Sequence, residues 1–266
     1  MLKRLIALLG ALLVLIAGQP AAAAADARAV VWQVVAPGDT MASIAARHGI
    51  RVASLGAWNQ IVAPYPVHID ETLRLTRPDT PLPAWQTRVE MVTPEMVHWN
   101  PRRKCPMPPS ELRRIWVSYI DFKGAYHDGT IIMHKSLVTR TQGVFFTLYR
   151  WRFRIMVMQP ASVNMPGLTD TTILTSGYEC RTVHGSGVWS EHSYGRAIDV
   201  NPLQNPMVQG SFLDPAAGAP WVPRNRYKIG MVHAEGAARV FIANGFFWGG
   251  TWRNMKDYMH FSPTNR

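Results

Sequence analysis

Ser190-Glu-His-Ser-Tyr-Gly-Arg-Ala-Ile-Asp199 is the stretch that decides the reading of this 266-residue chain. His192 and Asp199 stand seven residues apart with Gly195 between them. An extended strand would carry the two side chains too far apart to share an ion. A turn at Gly195 lets the chain double back and aim both at one point. A second polar cluster, Trp248-Gly-Gly-Thr-Trp252 followed by Asp257-Tyr-Met-His260-Phe261, lies near the other end. If the fold returns His260 to the first segment, His192, Asp199 and His260 make two imidazoles and one carboxylate. That is a standard catalytic Zn²⁺ shell with water in the fourth place, and the ion brings the pKa of that water to about 7. Asp257, three residues before His260, is the expected acid/base: it takes the proton from the attacking water and passes it to the leaving amine. Arg181 is the expected substrate contact, a guanidinium for a terminal carboxylate or an oxyanion.

The first segment matches Ser-x-His-x-x-Gly-x-Ala-x-Asp, and the second follows in the right order. On these residues the chain resembles the D-alanyl-D-alanine carboxypeptidase family, which also contains L-alanyl-D-glutamate endopeptidases and has a hedgehog-like fold. The resemblance covers about 105–262 and is strongest to the branch with Cys-Pro near the start and Tyr/Phe-x-Cys-Arg before the histidine motif, here Cys105-Pro106 and Tyr178-Glu-Cys-Arg181. It implies that His192, Asp199 and His260 bind zinc, that Asp257 is the acid/base and that Arg181 touches substrate. Ser262 stands where many members carry a glutamate. Glu191 is read as a neighbour of the ligands, His184 and His233 as ordinary polar positions, and Trp248 and Trp252 as walls behind the site.

Working toward the amino terminus, residues 77–88 hold three prolines in six positions and read as a stiff linker. It divides residues 30–76 from 89–266. The smaller unit reads strand, helix, helix, strand. A strand at 32–36 and the Pro37-Gly38 turn precede a helix capped by Asp39 or Thr40, with Met41, Ile44 and Ala45 on one face. A second helix at 52–58 and a strand at 72–76 follow. Val34-Val-Ala-Pro-Gly-Asp-Thr40, Ile44-Ala45, Trp58-Asn59 and Leu73-Arg-Leu75 resemble a LysM domain, which implies binding of N-acetylglucosamine polymers. The chain departs from that pattern at Ile69-Asp-Glu-Thr72, where the family usually has Pro-Gly-Gln-Thr.

The larger unit shows strand-like runs at 114–120 and 130–133 around a glycine-punctuated turn. A helix is expected from a Ser136 cap to about Tyr149, a strand at 153–158, and a helix at 231–244 closed by Gly245. With no regular strand–helix alternation, the expected class is α+β: a small βααβ module plus a larger unit with an antiparallel sheet.

Composition sets the frame. Hydrophobic residues are 47% and charged residues 17%, which permits a sizeable core and excludes wholesale disorder. Lys3 and Arg4, an apolar run at 5–17 and the small residues at 21–25 read as a signal peptide over 1–25. The expected location is therefore secreted, periplasmic or cell-wall associated, with no stable membrane anchor after cleavage. A net charge of +11 favours polyanionic surroundings. The basic residues are scattered, so no nucleic-acid partner is expected. Two exported cysteines, Cys105 and Cys180, favour a disulfide. The expected activity is hydrolysis of an amide in the peptidoglycan stem peptide, with D-Ala-D-Ala carboxypeptidase first and L-Ala-D-Glu endopeptidase second. A non-catalytic peptidoglycan-binding protein is the rival reading.

Overall fold

The structure is a computed structural model that describes residues 30–79, 81–161 and 171–265. The expected signal peptide, 1–25, lies outside the described residues. In chain order the strands and α-helices are β1 (Trp32–Val34), α1 (Met41–Arg47), α2 (Val52–Asn59), β2 (Thr72–Arg74), β3 (Thr87–Met91), β4 (Leu112–Ile120), β5 (Tyr126–His134), α3 (Val138–Arg150), β6 (Val157–Met158), β7 (Leu174–Thr175), β8 (Ile198–Asp199), β9 (Met207–Gln209), β10 (Phe212–Asp214), α4 (Ala237–Ala243), β11 (Phe247–Trp248), β12 (Lys256–Asp257) and β13 (His260–Ser262). Helices mix with mostly antiparallel sheets, an α+β fold.

The amino-terminal unit follows its local signals. Thr40 caps α1 through its hydroxyl, which accepts from Ser43 N at 3.0 Å, while Ser43 Oγ accepts from Thr40 N at 2.9 Å. The reciprocal pair satisfies two amides that a helix start leaves open. Met41, Ile44 and Ala45 then face a core shared with Leu55, Leu73 and Leu75. β1 and β2 pair antiparallel, Trp32 opposite Arg74 and Val34 opposite Thr72. Asn59 fastens α2 to β2, since its amide donates to Arg74 O (2.9 Å) and accepts from Arg74 N (2.8 Å).

The proline-rich segment runs against the larger unit: the Tyr149 hydroxyl donates to Pro83 O at 2.8 Å, and Gln86 N donates to Ser118 Oγ at 2.9 Å. Thr87, inside the expected linker, already pairs with Val117 as the first residue of β3. β3, β4 and β5 form an antiparallel sheet with β4 in the middle. The β4–β5 hairpin turns on Asp121, whose carboxylate accepts from Lys123 N and Ala125 N, both at 2.8 Å. Val144, Phe145, Leu148 and Tyr149 on α3 are buried, as the i,i+4 spacing requires. Cys105 and Cys180 form a disulfide.

Three expected elements differ. Ser136 is not the cap: its backbone N–H donates to the His134 ring in a 3₁₀ turn, and α3 starts at Val138. The strand expected at 153–158 shrinks to β6, because Phe153 and Ile155 point into the core from irregular backbone. β6 pairs with β7 in parallel, an exception to the antiparallel expectation. The helix expected at 231–244 is only α4. Val232 N donates to Asn205 Oδ1 (2.7 Å) and His233 N to Asp70 Oδ2 (2.9 Å), so side chains from elsewhere satisfy amides that a longer helix would have used.

Candidate metal centre

Glu191–Tyr194 forms a 3₁₀ turn that starts at Ser190, whose hydroxyl accepts from His192 N. Gly195 ends it at φ +63°, in the left-handed region. A side chain there would also meet His134 N at 2.7 Å. Backbone conformation and close approach both demand glycine. The chain then enters β8, ending at Asp199. β13 lies antiparallel beside it with His260 directly opposite Asp199. That register joins residues 61 apart in sequence.

Among the described residues, His192, Asp199 and His260 form a group whose ligand atoms all lie within 4.8 Å of one another. His192 Nδ1 donates to Gly177 O at 2.6 Å, which leaves Nε2 as the lone-pair nitrogen. Nε2 is buried without a hydrogen-bond partner, 3.2 Å from Asp199 Oδ2. His260 Nδ1 lies 3.2 Å from Asp199 Oδ1. A buried imidazole lone pair turned toward a carboxylate oxygen is a donor set suited to a cation. Burial alone would raise the Asp199 carboxyl; His192 and His260 outweigh it and hold the group well below the usual carboxylate range.

Asp257 ends β12, which pairs with β9. Its Oδ1 is buried and unbonded. Burial lifts its carboxyl to about 7; Asp199 adds to the rise, while His260, His192 and Arg181 oppose it. Arg181 is half-exposed, and its Nε donates to Glu179 Oε2 at 2.8 Å. Burial works against its charge, but Asp199, Glu179 and Asp257 prevail and keep the guanidinium protonated. Arg181 thus belongs to the same electrostatic neighbourhood as the cluster. Glu191 turns to Arg196, paired through both oxygens at 2.9 and 3.0 Å.

Trp248 is buried in the core, its indole N–H donating to Tyr258 O. Trp252 is more exposed, and its ring lies 5.4 Å from the His260 ring. Two features carry no sequence signal, one in the cluster and one away from it. One is the Gly177 carbonyl, because a backbone acceptor leaves no residue-type signal. The other lies away from the cluster: His233, expected to be an ordinary polar position, is buried 2.7 Å from Asp70. A cleft of about 490 Å³ opens elsewhere, between the amino-terminal unit and α3, lined by His68, Trp85, Phe146 and Trp151 among others.

Two family models match. Residues 34–76 match the LysM domain, and residues 184–263 match the D-alanyl-D-alanine carboxypeptidase family. The chain therefore carries a LysM domain followed by a D-alanyl-D-alanine carboxypeptidase domain, the second match containing His192, Asp199, Asp257 and His260. No curated protein and no solved structure matches it. Among the described residues no helix is long and apolar enough to cross a membrane.

Proposed function

We propose that the chain is a secreted cell-wall peptidase, a zinc-dependent D-Ala-D-Ala carboxypeptidase acting on peptidoglycan stem peptides. The observation that carries this is the convergence of His192, Asp199 and His260 inside the segment matching the carboxypeptidase family. These three residues would hold Zn²⁺, with His192 oriented by the Gly177 carbonyl. When bound, the ion supplies Lewis-acid chemistry, polarising the scissile carbonyl and acidifying water.

The remaining work falls to the chain. Asp257, buried and free of hydrogen bonds at Oδ1, accepts the proton that the attacking water loses and returns it to the departing amine nitrogen. A carboxyl lifted toward neutrality can do both near pH 7. Arg181 binds the substrate carboxylate beyond the scissile bond, with Glu179 steadying the guanidinium. The LysM domain, residues 34–76, takes the N-acetylglucosamine glycan. Residues 1–25 act as the signal peptide, 77–88 join the two units, and 89–266 form the peptidase domain.

The test is digestion of purified muropeptides by Zn²⁺-loaded protein, read by mass spectrometry, with Asp257→Ala as control. Release of one terminal D-Ala by the parent alone supports the assignment. Cleavage between L-Ala and D-Glu replaces it with an endopeptidase of the same chemistry. No product, with peptidoglycan binding retained, replaces it with a binding protein.

A further inference from the structure

Asp70 and Glu71, in the turn where the chain departs from the usual LysM pattern, are both buried. Asp70 sits at φ +69°, where glycine is free of strain and an L side chain is not. Its carboxylate is put to use. Oδ2 accepts from His233 N and from Ala237 N, both at 2.9 Å, and Oδ1 lies 2.7 Å from His233 Nδ1. The side chain is 1% exposed. It fits closely enough that a Cβ on Gly236 would fall 2.2 Å from Oδ2. His233 Nε2 faces Arg226 O at 3.0 Å, and Tyr227 stacks on the ring with centroids 4.0 Å apart.

Asp70 therefore supplies an acceptor at the start of α4, where no side chain from the helix's own flank does so. Further contacts seat the same unit: Thr72 N donates to Trp151 O at 2.9 Å, His68 stacks on Trp151, and Arg154 lies 3.8 Å over the Trp32 ring. From α4 the path to the cluster is short. Phe241 stacks on Phe261 with centroids 3.7 Å apart and planes 13° from parallel, and Phe261 follows His260 on β13.

We propose that Asp70 is a positioning residue for the metal site. The amino-terminal unit holds the start of α4 through this carboxylate, α4 holds Phe261, and Phe261 sets β13 and so His260. The LysM domain is then a working part of the peptidase and not a tethered anchor, and glycan bound to it stands at a fixed separation from the site. This rests on the reading of His260 as a metal ligand in a peptidase.

The test compares the full chain with D70G and D70N. Glycine suits the left-handed backbone but removes the carboxylate; asparagine keeps an oxygen for the two backbone N–H groups and removes the charge facing His233. The readouts are amide exchange at Ala237 and Ala238, the visible spectrum of the Co²⁺-loaded protein, binding to insoluble peptidoglycan, and kcat against KM on muropeptides. For D70G the expectation is retained peptidoglycan binding, exchange at Ala237 faster by about tenfold or more, a changed Co²⁺ spectrum, and kcat lower by about tenfold or more with KM little moved. D70N falls between D70G and the parent. If D70G does not fold, D70N carries the test by the same shifts at smaller size. A lower melting temperature with parental exchange, spectrum and kcat overturns the proposal, since a purely structural contact would behave that way. Should the parent cleave no muropeptide, the peptidase reading fails, while exchange and the Co²⁺ spectrum still decide the role of Asp70.

Discussion

Replacing Glu71 with glutamine should remove a pH-dependent loss of stability. Glu71 is 2% exposed, and its Oε2 accepts from His68 N at 3.0 Å. Burial lifts its carboxyl from 4.5 to about 7, opposed by the His68 amide and by Arg152. The folded chain therefore keeps this proton up to about pH 7, whereas the unfolded chain loses it near 4.5. Between those values the folded state binds the extra proton, so stability falls as pH rises. The contribution is fully present below pH 4.5 and lost as the pH rises through about 7. At about 1.4 kcal/mol per pH unit, the whole effect is about 3 kcal/mol. Glutamine stays neutral at every pH, and its carbonyl oxygen can still accept from His68 N. Urea unfolding of parent and E71Q at pH 5 and pH 8 isolates the group, because every other titration cancels in the difference. The advantage of E71Q should grow by about 2.5 kcal/mol between the two pH values. A difference that does not change with pH would refute the argument that Glu71 is protonated in the folded state.

Three further outcomes follow from the site and its frame. His260→Ala should weaken Zn²⁺ binding by about a hundredfold or more in calorimetry, whereas Asp257→Ala should leave metal content near the parental level and lower kcat by about 10²–10⁴; equal metal loss in both would make Asp257 a ligand. Gly195→Ala places a Cβ against His134 N at a left-handed position, and it should cost about 2 kcal/mol or more in thermal unfolding; an unchanged melting temperature would contradict it. Cys105→Ser with Cys180→Ser opens a bridge spanning 75 residues, with an expected loss of about 4 kcal/mol in denaturant unfolding; a loss below about 1 kcal/mol would show that packing of the segment, not the bridge, limits unfolding.

Short-range features were legible in the chain because their causes are local. The Pro37-Gly38 turn and Thr40 cap, the apolar spacing of Met41, Ile44 and Ala45, and the glycine-punctuated hairpin after 114–120 depend on residues within one or two turns of each other. The His192–Gly195–Asp199 spacing is of the same kind: the left-handed glycine is what lets a seven-residue interval converge. His260 could be picked out by its motif, but only strand pairing brings it opposite Asp199.

What tertiary structure decided is where distant parts compete for the same groups. α4 is shorter than its apolar pattern suggests, because the amides of Val232 and His233 are taken by Asn205 and Asp70. His233 read as a plain polar residue, since its partner lies 163 residues away on another unit. Asp70 and Glu71 read only as departures from a family pattern. Packing makes one of them an acceptor for backbone N–H groups of the larger unit and lifts the other's carboxyl toward neutrality. Sequence by itself determined the turns, caps and apolar faces, which are set by energies acting over a few residues. Which unit packs on which, and so which buried polar group finds a partner, was settled only by the packed structure, because burial and pairing are properties of chain segments that meet in space.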